Sequence, residues 1–157
     1  MKRSLRPKYI RDGRAPIPTN EITSRIMSSI RAKNTKPELI FIKGLRKAKL
    51  SPFRRHDKRL PGRPDITFPG KKLAIFINGC YWHRCPHCKP STPKSHIQFW
   101  RKKFMANVLR DKKKSNELKK LGWKVMVIWE CQLRTSLAMR LQKVGRLLGK
   151  RLPVDLR

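Results

Sequence analysis

Leu73-Ala74-Ile75-Phe76-Ile77-Asn78-Gly79-Cys80-Tyr81-Trp82-His83-Arg84-Cys85-Pro86-His87-Cys88 is the stretch that decides how this chain folds. Its first five residues form a continuous apolar run, the pattern of a strand buried on both faces. The remainder, Asn78 to Cys88, holds three of the chain's four cysteines, two of its four histidines and a Tyr-Trp pair. A buried strand therefore delivers soft metal ligands, a proton-transfer group and two large aromatics to one end of a sheet.

Working outward, Pro69-Gly70-Lys71-Lys72 reverses the chain between Asp65-Ile66-Thr67-Phe68 and the apolar strand. That predicts a β-hairpin with Asp65 near Asn78. Leu60-Pro61-Gly62-Arg63-Pro64 is a turn-rich entry, and Phe53 to His56 reads as a further short strand. Thr35-Lys36-Pro37-Glu38 reads as a capping box that opens a helix through Leu39, Ile42, Leu45 and Ala48, ending near Ser51-Pro52. Ile22, Ile26, Met27 and Ile30 recur at helical spacing and predict a short helix over 23–32. In the ordinary reading Met27 fills core and Glu38 is the cap's reciprocal acceptor. Residues 1–20 are basic and Pro-rich, the composition of an arm that orders on nucleic acid.

Downstream, Ser95-x-x-Gln98 resembles a second capping box. It predicts a long helix through Trp100, Phe104, Val108, Asp111, Leu118 and Leu121, stopped by Gly122. Asp111 falls on the apolar stripe beyond Val108, and a carboxylate there needs a partner, a metal or a cleft. Residues 123–129 form another strand pattern followed by Glu130-Cys131, and a last amphipathic helix is expected from Ser136 to Leu148. The element order indicates an α/β sandwich with a mixed central sheet flanked by helices. The strand-helix-strand crossover makes strands 73–77 and 123–129 parallel, so Cys80 and Cys131 should meet at one sheet end.

The chain has 41 Lys plus Arg against nine Asp plus Glu, a formal net charge of +32. Such a charge opposes compaction unless a polyanion screens it, and nucleic acid is the partner it suits best. No apolar run is long enough to span a membrane. No apolar segment follows the basic N-terminus, so no secretory signal is expected. Clustered cysteines point to metal ligation in a reducing compartment, not a disulfide framework. The expectation is a cytoplasmic, nucleoid-associated monomer with no membrane partner. Its organisation would be a basic arm (1–20), one domain (21–150) and a short tail (151–157).

Cys80, Cys85, His87, Cys88 and Cys131 are five ligands for four tetrahedral positions, and thiolate-rich closed sites are structural zinc sites. Spacing leaves His87 and Cys88 both open as the third local ligand. Asp65, Asn78, His83 and Asp111 converge on the same sheet edge. A hard cation such as Mg²⁺ needs only one or two carboxylates plus substrate phosphate. His83 has the chemistry of a general base toward water, which together with a metal gives phosphodiester hydrolysis.

At these residues the chain resembles the very short patch repair (Vsr) DNA mismatch endonucleases. The resemblance runs from Thr23 to Arg134. It is carried by Thr23-Ser-Arg-Ile-Met-Ser-Ser-Ile-Arg, Asn34-Thr-Lys-Pro-Glu-Leu, Leu60-Pro-Gly-Arg-Pro-Asp-Ile and Phe76-Ile-Asn-Gly-Cys-Tyr-Trp-His. It continues in Asn107-x-x-Arg-Asp111 and Leu121-Gly-Trp-x-Val…Ile128-Trp-Glu-Cys131. It implies a restriction-endonuclease-like fold with a structural zinc. It also implies a Mg²⁺-dependent nick 5′ to the thymine of a T:G mismatch left by deamination of 5-methylcytosine. Duplex DNA carrying that mismatch is the implied substrate, and other mismatch-repair proteins are implied partners. Carried over by position, Asp65 matches the metal-binding aspartate and His83 the catalytic histidine. Asp111 and Glu38 match acids flanking the site. Spacing from Cys80 then favours Cys85, His87 and Cys131 as zinc ligands, with Cys88 in place of His87 as the alternative. Tyr81 and Trp82 match an aromatic pair that wedges into the base stack, and Met27 a residue that inserts from the opposite groove. A wobble pair stacks poorly, so apolar wedges convert a stacking defect into selectivity.

Asn78 departs from the family, whose members often carry an acid or histidine there. Asn can hold a metal-bound water but supplies neither charge nor a proton acceptor, which predicts reduced metal affinity or rate. Three rival readings stand beside this one: a zinc-stapled noncatalytic DNA-binding protein, a ribosomal-type RNA-binding protein, and a related nuclease with homing-type specificity.

Overall fold

The computed structural model describes Arg25 and residues 33–153. The basic arm, Met27 and, Arg25 apart, the helix expected over 23–32 lie outside the described residues. Two units divide the chain at Ile30/Arg31, and the second holds the sheet and its flanking helices.

Helix α1 spans Lys36–Lys47, with Thr35 as N-cap and Pro37 in the first turn, where a missing N–H is harmless. Its buried face is Phe41, Ile42, Leu45 and Ala48, with Phe41 taking the place expected for the exposed Leu39. Strand β1 (Arg54–Arg55), β2 (Ile66–Phe68), β3 (Leu73–Asn78) and β4 (Lys124–Trp129) form one sheet in that order. β1–β2 and β2–β3 are antiparallel; β3–β4 is parallel with Asn78 opposite Trp129. The hairpin turn is a single 3₁₀ turn over Pro69–Lys71, closed by Lys72 at a left-handed φ of 44°.

β3 is the central strand, and its sequence explains why. Leu73, Ile75 and Ile77 face a core shared with Ile66, Phe68, Met126 and Ile128, closed by α1 and α3 (Glu130–Leu147). Each such buried aliphatic side chain stabilises the fold by about 1.5–3 kcal/mol. Where α1 crosses α3, a Cβ on Gly44 would lie 3.0 Å from the Leu141 side chain, so a larger residue there would require Leu141 to shift. The alternate residues Ala74 and Phe76 face the opposite side. There lies α2 (Ile97–Lys120), whose Lys114 approaches Gly62 alongside the Phe76 ring. The architecture is a mixed α/β fold with, among the described residues, a four-stranded sheet between helices. Among these residues no helix is long and apolar enough to cross a membrane.

Three sequence expectations are corrected. α2 begins at Ile97 behind His96 at φ 50°, with no side-chain cap, so Ser95-x-x-Gln98 is not a capping box. Val108 is 42 % exposed, so the buried stripe of α2 is Trp100, Phe104, Asn107 and Leu118, and Asp111 lies at its margin. α3 starts at Glu130, ahead of the helix expected from Ser136, and the Gln132 side chain accepts the Trp129 N–H at its start at 3.2 Å. A kink at Ser136, whose backbone is non-helical and whose hydroxyl donates to the Gln132 carbonyl at 3.0 Å, divides α3, and the segment beyond it to Leu147 is the helix the sequence predicts.

Candidate active site and thiol cluster

The C-terminal ends of β3 and β4 lie side by side, and each leads directly into cysteines. Two residues past β3 comes Cys80, and two past β4 comes Cys131, whose N–H donates to the Cys80 sulfur at 3.4 Å. The loop after Gly79 folds into successive turns, His83 N–H to Gly79 at 3.2 Å and Cys85 N–H to Cys80 at 2.9 Å. These turns bring Cys85 to 3.7 Å from Cys131, sulfur to sulfur. The sulfurs of Cys80, Cys85, Cys88 and Cys131 all lie within 4.8 Å of one another, and none is in a disulfide. Four such thiols could hold a tetrahedral metal ion. His87, the favoured third local ligand, is outside the set. It is exposed, and its ring lies 6.5 Å from that of Trp129. In this structure Cys88, and not His87, lies with the other three sulfurs, because the turn Cys85–Lys89 returns it to the cluster.

Burial pushes the Cys80 and Cys131 thiols up. Burial acts on Cys85 too, but the N–H groups of Cys88 and His87 outweigh it and bring that thiol below its usual value. A bound cation would displace the protons of these thiols, since metal ligation requires thiolates.

A second constellation forms on the other side of β3. Asp65, just before β2, accepts the Ile77 N–H at 2.7 Å. Glu38, in the first turn of α1, is buried and accepts the Thr35 hydroxyl at 2.8 Å and the Asn34 N–H at 2.9 Å. The reciprocal capping box expected over Thr35–Glu38 does not form, since Thr35 makes no side-chain cap and gives its hydroxyl to Glu38 instead, but these two bonds fix the carboxylate in place. Between the two acids stands His56, Nε2 at 3.5 Å from Glu38 and Nδ1 at 3.8 Å from Asp65. The three residues place one ligand atom each within 4.8 Å of one another. Burial pushes the Asp65 carboxyl up to about 6. The Glu38 charge adds to the shift, while the Ile77 N–H and the His83 charge oppose it. Two carboxylates crowded away from water suit a divalent cation, so these residues fit the metal that nucleases employ.

His83 and Asp111 meet beside this group, Nδ1 to Oδ2 at 2.5 Å, linking the loop to α2. The partner demanded for Asp111 is therefore His83. Asn78 is buried at the end of β3, one residue beyond the amide that binds Asp65. Tyr81 and Trp82 are half-buried in an aromatic cluster with Trp100 and Phe104, Tyr81 standing edge-on to Trp82 at 5.1 Å and to Phe104 at 5.2 Å. Asn107 holds this loop by donating to the Trp82 carbonyl at 3.0 Å, and Arg110 donates to Asn107 at 2.7 Å.

Sequence reading passed over His56 and gave Asn107 no task. The signal for His56 was the β1–β2 pairing, since Arg55 opposite Ile66 puts His56 beside Asp65. For Asn107 it was the four-residue spacing to Asp111 on one helix face.

An acid-rich sheet edge, a hydrogen-bonded His–Asp pair and a strongly cationic chain are the equipment of an enzyme that hydrolyses nucleic acid. The comparisons agree. The profile of the family DNA mismatch endonuclease Vsr matches residues 16–89. The type II nicking enzyme V.NmeAIP of Neisseria meningitidis is 38% identical over 134 residues, covering 82% of this chain and 91% of that protein. V.XorIIP of Xanthomonas oryzae, also a type II nicking enzyme, is 41% identical over 108 residues, 69% of this chain and 79% of that one. The DNA mismatch endonuclease Vsr of Escherichia coli is 42% identical over 83 residues, about half of each chain (52% and 53%). The chain belongs to the Vsr family and is a DNA endonuclease.

Proposed function

We propose that this endonuclease nicks duplex DNA on the 5′ side of the thymine in a T:G mismatch, by Mg²⁺-assisted hydrolysis of one phosphodiester on a restriction-endonuclease-like fold. The observation that carries the proposal is the His83–Asp111 hydrogen bond at 2.5 Å beside the carboxylate of Asp65. With Nδ1 engaged by Asp111, His83 presents Nε2 to accept a proton from water, the division of labour that a carboxylate imposes on an imidazole. Asp65 and Glu38 hold the cation, which when bound polarises the phosphate and stabilises the leaving oxygen. Asn78 orients water at the same edge without adding charge, which makes the reaction strongly dependent on Mg²⁺ concentration. The four cysteines hold Zn²⁺ and fix the loop so that His83 and the aromatic pair keep their places.

Tyr81 and Trp82 enter the base stack at the wobble pair, and Met27 enters from the other groove. Trp100 and Phe104 support this reading, because Phe104 packed edge-on to Tyr81 and Trp100 packed at a tilt on Trp82 brace the pair against the pressure of the duplex. The arm over residues 1–20 contacts phosphates. The enzyme acts as a monomer in the cytoplasm, on the nucleoid, alone or with other mismatch-repair proteins.

A nicking assay on T:G and T:A duplexes, with and without Mg²⁺, tests the reading. Nicking confined to T:G with Mg²⁺ supports it, and nicking that is indifferent to the mismatch overturns it. The names of the Neisseria and Xanthomonas relatives favour a second reading, a nick at a sequence site without a mismatch. Cleavage of the matched duplex at one position would establish that alternative.

A further inference from the structure

His56 is not used by the mechanism above, and its surroundings are unusual for a structural histidine. Its Nε2 is buried without a hydrogen-bond partner among the described residues. The nearest acceptor, Glu38, is 3.5 Å away and already receives Thr35 and Asn34. Its backbone has a positive φ of 47° and is tied by its N–H to the Asp65 carbonyl at 3.0 Å. The ring is thereby set between two carboxylates that lie on different elements. A ring nitrogen buried without a hydrogen-bond partner among the described residues, set between two carboxylates within 4.8 Å ligand atom to ligand atom, is placed to receive a cation.

We propose that His56 is a nitrogen ligand to the divalent cation held by Asp65 and Glu38, and that it tunes the site toward first-row transition cations such as Mn²⁺. The inference rests on the nuclease reading for the presence of a cation at Asp65 and goes beyond it in naming the donor set. An imidazole nitrogen is a borderline donor. Carboxylate, carbonyl and water suit Mg²⁺, whereas imidazole strengthens binding along the first-row series. A site with two carboxylates and one imidazole therefore binds Mn²⁺ in preference to Mg²⁺ by more than an all-oxygen site would. His56 is then the residue that sets the margin, and it offsets part of what Asn78 fails to supply.

The test titrates Mn²⁺ into the full chain, following loss of the free-ion magnetic resonance signal, with Mg²⁺ as competitor. His56→Ala and His56→Gln should each lower Mn²⁺ affinity by about tenfold or more, while Mg²⁺ affinity changes less than about threefold. Equal losses for both ions, or none for either, overturn the proposal. Asp65→Asn should remove the bound Mn²⁺, and retention of that ion would place it elsewhere and overturn the proposal too. A measurement on the unaltered protein guards against a variant that fails to fold. Spin-echo modulation of bound Mn²⁺ should show a coupled ¹⁴N nucleus that His56→Gln abolishes. Absence of nitrogen coupling in the unaltered protein overturns the assignment even if T:G duplex is nicked normally. Coupled nitrogen without any nicking supports the ligand while defeating the mismatch-nicking reading.

Discussion

The thiol cluster and the carboxylate–imidazole group flank the same strand but are assembled in opposite ways. The thiols come from two parallel strand ends and the tight loop between Gly79 and Lys89, so they are close by register and by short sequence distance. Glu38, His56 and Asp65 come from a helix start, a strand end and a second strand start, drawn together by antiparallel pairing. With a metal ion bound as proposed, the first group would contribute folding energy, since soft ligands close around an ion. The second would oppose folding until a cation arrives, since its like charges are crowded away from water. On the proposed reading a stabilising knot steadies a destabilised edge.

That contrast can be broken at its strongest point by Cys131→Ser. Structural zinc supplies about 10–16 kcal/mol of apparent binding energy in small domains, and a folded domain has only about 5–15 kcal/mol in total. The variant should therefore lose its cooperative thermal transition, or melt far below the parent. A strong chelator should do the same to the unaltered protein, and an unchanged melt would remove the structural role. His83→Ala should act on the other side alone. Nicking should fall by about 10²–10⁴-fold, with thermal stability changed by less than about 1 kcal/mol.

Asp65→Asn should separate the two sides most sharply, by abolishing nicking and stabilising the cation-free protein. Because the folded carboxyl sits at about 6, above its ordinary 3.8, the folded state binds more protons than the unfolded state between those values. Stability contributed by this residue is thus highest at low pH and falls as pH rises through that window. The Asn variant should flatten that slope and gain about 1–3 kcal/mol near neutrality, read by denaturant melts in chelator-treated buffer. The smallest effect is expected for Asn107→Ala. Loss of its bond to the Trp82 carbonyl should cost about 1–2 kcal/mol and weaken T:G discrimination more than the rate on a saturating substrate.

Much of this was legible in the chain. The apolar run at 73–77 and the run ending at Trp129 announced two parallel strands, and cysteine is rare enough that its spacing marked the knot. Local signals failed where tertiary contacts override them. Ser95-x-x-Gln98 has the pattern of a capping box, yet α2 opens behind His96 in a left-handed conformation with no side-chain cap. Cys88 lies with the other thiols, and His87 apart from them, through a loop turn that no spacing rule contains. His56 lay hidden among basic residues, since its meaning depends wholly on which strand faces it.

The bond from the Ile77 amide to the Asp65 carboxylate ends the β2–β3 ladder with a side chain where a carbonyl would ordinarily stand. The last rung of the sheet is therefore ionisable. Its amide proton is a built-in gauge of the reactive edge: its chemical shift and its exchange with solvent should track proton or cation occupancy of Asp65. A single backbone resonance would then report on the state of the chemistry without any substrate present.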